Sequence, residues 1–497
     1  MDAERIPVIV GVGQINDRPA DPFAGLDSLG LMAAAARAAD VDAGGGWLTR
    51  LDSVAVVNQI SFPALGDVSQ PLAQMLGARP RLCAQTAYPS GASPVRLLNE
   101  AASAIALGEI GAALIAGGEA LRTAAQRAAA SAGGSASDHE ATRRASTRSA
   151  PDYRQRYGLI APVDVYPLYE NAMRAALGQT LADAQAESAA MWAGMSEVAA
   201  QNEAAWLRAP VSAAEILAPS PNNRPIAFPY TKLMVANSSV NQGAAFIVAS
   251  LAAARRHGVS EERLIYIGYG AAADEPANIL KRDRFDRSVS MAVSLRRTLE
   301  LNALGVAEID HAELYSCFPC VPKLARRAIG WPADRPITVV GGLTFGGGPI
   351  GNYMSHAGAS MAQRLRDGGG TGLLFANGGF ATQNHSIVLS SDPERAMREA
   401  RSFDYQAEAD EARAPAPPVD ERYEGPAEIE TYTVFYTREG APRAGVVVGR
   451  SEAGARLLAK VSGDDAEAIA FLTNGAAEPV GARGRAVREG DDVIWRL

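Results

Sequence analysis

Apolar residues in this chain form short runs that end in glycine, and they alternate with alanine-rich stretches of helical period. Several of these features occur twice, in the same order. The matching segments are Val8–Gly13 with Leu264–Gly270, Leu51–Asn58 with Glu308–Tyr315, Tyr88–Arg96 with Gly346–His356, and Ala112–Gly118 with Gly372–Gly379. The offsets are 257, 257, 258 and 260 residues. Four ordered matches at nearly constant spacing predict a duplicated unit.

Strands that alternate with helical patterns are typical of parallel sheets covered by helices. A long insertion separates the two copies; its segment 122–147 has little apolar period and is predicted to be mobile or weakly helical. After an acidic and proline-rich stretch, residues 429–497 show alternating strand patterns with one short helix, which favours a small β-barrel of the OB type. The predicted domains are a first half (1–121 and 226–258), an inserted loop domain (122–225), a second half (259–400), a linker (401–424) and an OB-like domain (425–497).

The composition narrows the class of protein. A chain of 497 residues, 47% hydrophobic and 21% charged, predicts a globular protein of two or three domains. The net charge of −8 argues against a nucleic-acid partner. No apolar stretch approaches the roughly 20 residues that span a bilayer, and the N-terminus does not read as a signal peptide. We therefore expect a cytoplasmic protein without membrane insertion. Three cysteines make a disulfide framework improbable.

Five segments together resemble the thiolase superfamily over residues 5–392. They are GEIGAALIAGGEAL (108–121), NSSVNQGAA (237–245), AELYSCF (312–318), GGLTFGGGPIG (341–351) and ANGGF (376–380). The stretches YPLYENAMRAALG and FPYTKLMVANSSVNQGAA are closer to the acetyl-CoA acetyltransferase-like, or thiolase-like, subgroup, in which a C-terminal extension is usual. The resemblance implies an α/β protein with a duplicated thiolase fold in five layers (αβαβα), an inserted loop domain and a C-terminal OB-like domain.

Thiolase chemistry uses a cysteine nucleophile at a helix N-terminus, a histidine that activates it, a second cysteine and an oxyanion hole. Matching the motifs of the family places these functional positions at Gly91, Gly348, Ala376 and Tyr315. None carries the residue that the family uses. The resemblance therefore implies a thiolase scaffold that does not support condensation through an acyl-cysteine.

The remaining candidates for catalysis are Tyr315, Tyr353 and His356. The phenol of Tyr315 lies where the family places a substrate-facing Asn or His, so it could donate a hydrogen bond or exchange a proton. The alternative is a packed aromatic residue at a strand end. His356, one to two turns into its helix, is either directed at the cavity or bonded to a neighbouring carbonyl.

Candidates for substrate binding lie in glycine-rich turns: Ser90, Gly91, Ser93, Gly348, Asn377 and Gly378. Backbone amides at such turns and at helix N-termini can approach a carbonyl or an anion closely. The spacing Gly346-x-Gly348-x-x-Gly351 fits the dinucleotide fingerprint but lacks its flanking strand and acidic residue, so we interpret it as a false positive.

The three cysteines of the chain allow more than one interpretation, and so do the arginines of the insertion. Cys83 is predicted to be a buried strand residue. Cys317 and Cys320 form a lone Cys-x-x-Cys, for which a structural role is favoured over metal binding, redox chemistry or a substitute nucleophile. The arginines either bind the phosphates of coenzyme A or form an ordinary charged surface; they are Arg122, Arg127, Arg143, Arg144, Arg148, Arg154 and Arg156.

Three functions follow as hypotheses. The first is an acyltransferase of thiolase type, in lipid metabolism, that acts on or binds acyl-CoA thioesters. The second is a thiolase-fold retro-aldolase on a β-hydroxyacyl-CoA, as in cysteine-free relatives that use tyrosines and an OB-fold partner domain. The third is a non-catalytic acyl-CoA-binding protein. In each case we expect no cofactor besides CoA or acyl-CoA as substrate or ligand, no metal, and a monomer or homodimer.

Overall fold

The computed structural model describes residues 2–132 and 151–497. The first half begins with a strand that is apolar and buried up to Gly13, and it alternates strands with helices. Its elements are β1 (Pro7–Asn16), α1 (Ser28–Asp42), β2 (Ser53–Val56), α2 (Ser69–Met75), β3 (Leu82–Gln85), α3 (Ser93–Leu107) and β4 (Ala112–Ala120), and after the insertion β7 (Asn241–Ser250) and α9 (Leu251–His257). The second half contains β8 (Ile265–Asp274), α10 (Val289–Leu301), β9 (His311–Glu313), α11 (Cys320–Ile329), α12 (Tyr353–Gly368), β10 (Thr371–Gly378) and β11 (Gln383–Ser390).

The two halves repeat one topology. The nine strands follow the order β3-β2-β4-β7-β1-β8-β11-β10-β9, so each half has its first strand at the centre and its second strand towards the edge. In the second half, residues 337–340 run beside β9 where the first half has β3, and the Leu314 amide donates to the Ile337 carbonyl at 2.9 Å. The halves meet where Val8 pairs with Tyr266 and Ile9 with Ile265. The predicted duplication is confirmed.

Helices α3 and α12 lie in the central layer and contact strands of both halves. Helix α3 begins with Ser93 and Pro94 and ends at Leu107, and the residue that caps it is Gly108, whose left-handed φ of 77° suits a glycine. Both helix N-termini point to the same region as the ends of β9 and β10. This arrangement is the thiolase fold, and it brings four turns of the two halves together.

The insertion is mainly helical. Its described elements are α4 (Leu121–Ala132), α5 (Tyr153–Arg156), α6 (Pro162–Ala176), α7 (Leu181–Gln201), α8 (Ala213–Leu217), β5 (Pro225–Ala227) and β6 (Tyr230–Thr231). Of the segment 122–147, which we predicted to be mobile or weakly helical, the part up to residue 132 belongs to α4 and the rest lies outside the described residues.

The predicted linker contains a helix, α13 (Gln406–Ala412), whose Ala409 packs against Ala273 and Val293 of the second half. The C-terminal domain that follows is a closed barrel of five strands, in the order β13-β14-β16-β15-β12 with β12 paired to β13. This is the predicted OB-type barrel. Its elements are β12 (Gly425–Tyr436), β13 (Pro442–Ser451), β14 (Arg456–Ser462), α14 (Ala466–Thr473), β15 (Arg483–Glu489) and β16 (Asp492–Arg496).

The barrel docks on the insertion through β12. The Phe228 amide donates to the Val434 carbonyl at 2.8 Å, which extends the barrel sheet with β5 and β6. The Thr431 hydroxyl donates to the Leu168 carbonyl at 2.6 Å, and Asn171 Nδ2 donates to the Tyr432 carbonyl at 2.9 Å. Helix α6 is thereby held between the barrel and the thiolase body. Within the described residues, no helix combines the length and apolarity needed to cross a bilayer.

Candidate functional site

The first turn of the site precedes α3 and is organised around Ser90. Its hydroxyl donates to Gln383 Oε1 at 2.6 Å and accepts a hydrogen bond from the Ala92 amide at 3.2 Å. Its carbonyl accepts from the amide of Ser93, a buried residue in the first turn of α3, at 2.9 Å. A Cβ atom on Gly378 would lie 2.0 Å from the Ser90 hydroxyl oxygen. The turns before α3 and after β10 are thus in direct contact.

Gly91 lies where the family resemblance places the nucleophile, and the space for a side chain there is taken. A Cβ atom on Gly91 would lie 2.0 Å from the Tyr315 hydroxyl oxygen and 2.2 Å from the Asn377 carbonyl oxygen. Real Cβ atoms do not come so close to such neighbours. The phenol of Tyr315 therefore occupies the position that a residue-91 side chain would occupy.

Tyr315 lies two residues beyond the end of β9 and has a left-handed backbone with φ of 40°. This conformation is rare for an aromatic residue and marks a strained turn. Its ring is 5% exposed and packs edge-to-face on Tyr353, with 5.9 Å between the ring centroids. Burial raises the pKa of Tyr315 well above its usual value, so the hydroxyl stays protonated. Among the described residues, this hydroxyl has no hydrogen-bond partner.

Tyr353, the first residue of α12, is tied to a buried carboxyl group. Its hydroxyl donates to Glu313 Oε1 at 2.9 Å, while the Thr338 hydroxyl and the Val339 amide donate to Oε2 at 2.8 and 3.0 Å. Burial raises the pKa of Glu313 to about 7, against the lowering effect of these hydrogen bonds. The carboxyl group therefore titrates near neutral pH beside the two tyrosines.

The insertion contributes a third tyrosine through α6. The Tyr166 hydroxyl accepts from the Ala381 amide at 2.9 Å and donates to Asn377 Oδ1, 3.2 Å away. Its ring stacks on Phe318 with 4.4 Å between the centroids. Burial is the main cause that raises the pKa of Tyr166 well above its usual value. Unlike Tyr315, Tyr166 has its hydrogen bonds satisfied by the protein.

The cysteines are free thiols in poor surroundings for nucleophilic attack. Burial raises the pKa of Cys317 to about 12 and raises that of Cys320 well above its usual value. Cys83 lies on the edge strand β3, where partial burial also raises its pKa. Among the described residues, no cluster of three or more His, Cys, Asp or Glu side chains is placed to hold a metal ion.

His356 lies deeper than the turns. Its Nδ1 is 2.8 Å from Gln14 Oε1, and burial lowers its pKa to about 3, so the imidazole is neutral. Among the described residues, its side chain forms a hydrogen bond only with Gln14 of β1, and none with Tyr315 or Gly91. Gly348 lies in the loop before α12, where its amide donates to the Asn237 carbonyl at 2.8 Å.

Three of the predicted arginines of the insertion are engaged by the protein, whereas Arg122 is exposed and its side chain has no hydrogen bond or ion pair among the described residues. Arg127 donates to the Pro22 and Gly25 carbonyls at 2.9 and 2.7 Å, Arg154 donates to the Leu159 carbonyl, and Arg156 pairs with Glu421. Arg143, Arg144 and Arg148 lie outside the described residues. The proposed contact with CoA phosphates stays a prediction.

Of the predicted site residues, the structure brings six into contact and places Tyr353 behind the ring of Tyr315; the six are Ser90, Gly91, Ser93, Tyr315, Asn377 and Gly378. Their roles in catalysis and binding stay predictions. The sequence analysis missed Glu313 and Tyr166. The run 308–315 carries three acidic residues, Glu308, Asp310 and Glu313, so its pattern did not single out Glu313. No sequence signal pointed to Tyr166.

Comparisons with known proteins agree with this description. The family described as thiolase-like protein type 1 additional C-terminal domain matches residues 406–491. A crystal structure of a monomeric SCP2-thiolase-like protein type 1 from Mycobacterium smegmatis has 32% identity and a TM-score of 0.83, and the match covers 99% of both chains. Comparison with curated protein sequences gives no match.

More distant structures share the fold of the thiolase body. The Ltp2-ChsH2(DUF35) aldolase has 18% identity and a TM-score of 0.58, and the match covers 78% of this chain and 98% of that one. Human mitochondrial 3-ketoacyl-CoA thiolase in complex with CoA has 14% identity and a TM-score of 0.60, with 78% and 99% covered. At these identities the likeness concerns the fold alone.

Proposed function

Because this chain belongs to the SCP2-thiolase-like protein type 1 family, we propose that it binds the thioester of an acyl-CoA at the Gly91 turn without forming an acyl-cysteine. One observation carries the proposal: the Tyr315 hydroxyl, unpaired among the described residues, stands where the side chain of residue 91 would be. In this proposal, a hydrogen-bond donor stands where the resemblance to thiolases places the thiol nucleophile. The fold shared with a thiolase that binds CoA supports CoA as the carrier.

The protonation state of Tyr315 defines what it does in this proposal. Since burial keeps the phenol neutral, it donates a hydrogen bond to the thioester oxygen and does not act as a base. A donor in a buried site interacts more strongly with an oxygen that gains negative charge, as the thioester oxygen does in an enolate. The two buried thiols near it stay protonated and take no part.

A second candidate function is retro-aldol cleavage of a β-hydroxyacyl-CoA, which the Tyr353–Glu313 hydrogen bond favours. The proton of the β-hydroxyl group would pass to Glu313 by way of Tyr353. The bond between the α- and β-carbons would break, its electron pair would form the thioester enolate held by Tyr315, and a proton would return to the α-carbon. The products are a carbonyl compound and a shortened acyl-CoA.

Calorimetry with acetyl-CoA and CoA tests the first function on the wild type and on Tyr315→Phe. Because one hydrogen bond is worth about 1 kcal/mol, we expect Tyr315→Phe to weaken acetyl-CoA binding by roughly 5- to 10-fold and to leave CoA binding unchanged. Tyr157→Phe is the matched control, since its hydroxyl accepts from the Val493 amide in the barrel. Absence of acetyl-CoA binding, or thiolysis of acetoacetyl-CoA by the wild type, would contradict the proposal.

The second function has its own assay. A β-hydroxyacyl-CoA is incubated with the wild type, Tyr315→Phe and Glu313→Gln, and the released carbonyl compound is trapped and measured. Retro-aldol activity should fall by at least about 100-fold in Glu313→Gln if this carboxyl group moves the proton. Binding without any release of carbonyl compound leaves thioester binding as the function.

A further inference from the structure

The turn after β10, residues 377–382, forms one wall of the Gly91 site, and we call it the β10 turn. The carbonyl oxygen of Asn377 lies 2.2 Å from the position of a Cβ atom on Gly91. Within the turn, Ala381 has a left-handed backbone with φ of 56°. This conformation is strained in alanine and persists only where neighbouring groups hold it. The wall beside Gly91 therefore depends on the groups that bond to Ala381.

The protein holds the backbone of Ala381 from two sides. Its amide donates to the Tyr166 hydroxyl at 2.9 Å, and its carbonyl accepts a hydrogen bond from Arg282 Nη1 at 3.0 Å. The Tyr169 hydroxyl donates to the adjoining Phe380 carbonyl at 2.7 Å. The guanidinium group of Arg282 lies over the ring of Tyr169, 4.7 Å from its centroid. Of these three side chains, two belong to α6 and only that of Arg282 comes from another part of the chain.

Arg282 is a buried charge whose acidic neighbour has other partners. Its side chain is 1% exposed and lies 3.8 Å from the Glu275 carboxylate. That carboxylate also accepts from the Ser290 hydroxyl at 2.9 Å, and its second oxygen lies 3.0 Å from Arg413 Nε, just after α13. Glu275 thus keeps a cation beside it if Arg282 is removed, so its neutralisation does not require Arg282. The contact that sets Arg282 apart is the one with the Ala381 carbonyl.

The barrel holds the loop that carries Arg282. Arg456 of β14 is fully buried, and its Nη1 donates to the carbonyls of Leu280 and of Arg282 itself, both at 2.7 Å. Its Nε donates to Glu430 Oε2 of β12 at 2.8 Å, which fixes the guanidinium group within the barrel. The same group lies over the ring of Phe285, 4.7 Å from its centroid. A hydrogen-bonded path therefore leads from the barrel through Arg282 to the β10 turn.

We infer that Arg282 is a positioning residue for the thioester site, and that the barrel fixes it in place through Arg456. This inference rests on the proposed function. Without the hydrogen bond from Arg282, the strained backbone of Ala381 relaxes and the β10 turn shifts against Gly91. The thioester oxygen then lies differently relative to the Tyr315 hydroxyl, so recognition of the thioester weakens while binding of the rest of CoA is kept.

Calorimetry with acetyl-CoA and CoA on the full chain tests this inference. Arg282→Leu should weaken acetyl-CoA binding by roughly fivefold and leave CoA binding unchanged, because the hydrogen bond from Tyr315 is lost. In a Tyr315→Phe background, Arg282→Leu should add no further loss, since both changes remove the same interaction. Arg284→Leu is the matched control: Arg284 belongs to the same loop, but its side chain is exposed and pairs with Asp286. It should bind both ligands as the wild type does.

Two further variants test the path on either side of Arg282. Tyr169→Phe keeps the ring below Arg282 and removes the other hydrogen bond to the β10 turn, so it replaces Arg282→Leu if that variant does not fold. Arg456→Leu should show the same selective loss of acetyl-CoA binding. Its control is Arg450→Leu, because Arg450 also pairs with Glu430 but donates to the Gly454 carbonyl within the barrel.

The outcomes separate this inference from the proposed function. An unchanged ratio of acetyl-CoA to CoA affinity in folded Arg282→Leu would refute the inference, and thioester binding would stand. A loss that adds to that of Tyr315→Phe, or that affects both ligands equally, would assign Arg282 a structural role only and refute it as well. Absence of acetyl-CoA binding by the wild type would refute the proposed function, and the inference with it. Thermal unfolding of each variant shows that the titrations concern folded protein.

Discussion

The loop 346–351 separates two regions that treat buried polarity in opposite ways. Around Gly91, the phenol of Tyr315 fills the place of a side chain, and its hydroxyl group has no hydrogen-bond partner among the described residues. Behind the loop, between α12 and the sheet, five buried atoms have no hydrogen-bond partner among the described residues: Asn352 Oδ1 and Nδ2, Ser355 Oγ, His356 Nε2 and Gln242 Oε1. The first region is therefore closed by packing, whereas the second keeps hydrogen-bonding capacity that the protein does not use. Substitutions in each region test this difference.

The largest loss of stability is expected from Gly91→Ala, which tests whether the residues around Gly91 leave no room for a side chain. The new methyl group would overlap the Tyr315 hydroxyl and the Asn377 carbonyl, and the backbone carbonyl cannot move aside. We expect a loss of about 3 kcal/mol in the free energy of unfolding, measured by urea denaturation.

Gly378→Ala is the control for this prediction. Its new methyl group would meet the Ser90 hydroxyl, the end of a side chain that can rotate, so the loss should be about 1 kcal/mol. Equal stability of Gly91→Ala and the wild type would show that Tyr315 does not hold this position.

The next effect concerns the pH dependence of stability and compares His356 with His385. Burial lowers the pKa of both to about 3, from 6.5 in the unfolded chain. A lowered pKa means stability that is present above pH 6.5 and is lost as the pH falls. Each histidine should therefore cost about 2 kcal/mol between pH 7 and pH 5.

His356→Leu and His385→Leu should each flatten the fall in stability at acid pH by that amount. At pH 7 the two variants should differ in their free energy of unfolding. His385→Leu leaves the buried Asn99 amide without its hydrogen-bond partner, and should be the less stable variant. In His356→Leu, the side chain that loses its partner is Gln14, which is partly exposed and can form a hydrogen bond with water. Urea unfolding at pH 7 and pH 5 measures both. The comparison fails if the two variants are equally destabilised at pH 7.

The smallest change in the free energy of unfolding is expected from Asn352→Leu. Since both amide atoms of Asn352 are unpaired among the described residues, an apolar residue of similar size should change the free energy of unfolding by less than about 1 kcal/mol. Asn99→Leu, which removes the partner of His385, should cost about 1–3 kcal/mol. A large loss in Asn352→Leu would show that Asn352 has partners that hold the fold together.

The repeated runs predicted the duplicated halves, because apolar period and turn residues report local structure directly. The alternating pattern after residue 425 predicted the closed barrel for the same reason. The position of the Tyr315 hydroxyl at Gly91 could not be predicted, since it depends on a left-handed backbone and on turns more than 220 residues apart. His356 was predicted as a catalytic candidate; its link to Gln14 depends on tertiary packing that no sequence spacing encodes.

The docking of β12 makes the C-terminal barrel a cooperative part of the thiolase body. In a fragment that ended before residue 425, the apolar side of α6 and the edge of β5 would be exposed to solvent. Exposed apolar surfaces and unpaired strand edges favour aggregation. In such a fragment, helix α6, which carries Tyr166, would keep its contacts with the thiolase body but lose those with the barrel. We therefore expect the barrel and the thiolase body to unfold together in a single thermal transition.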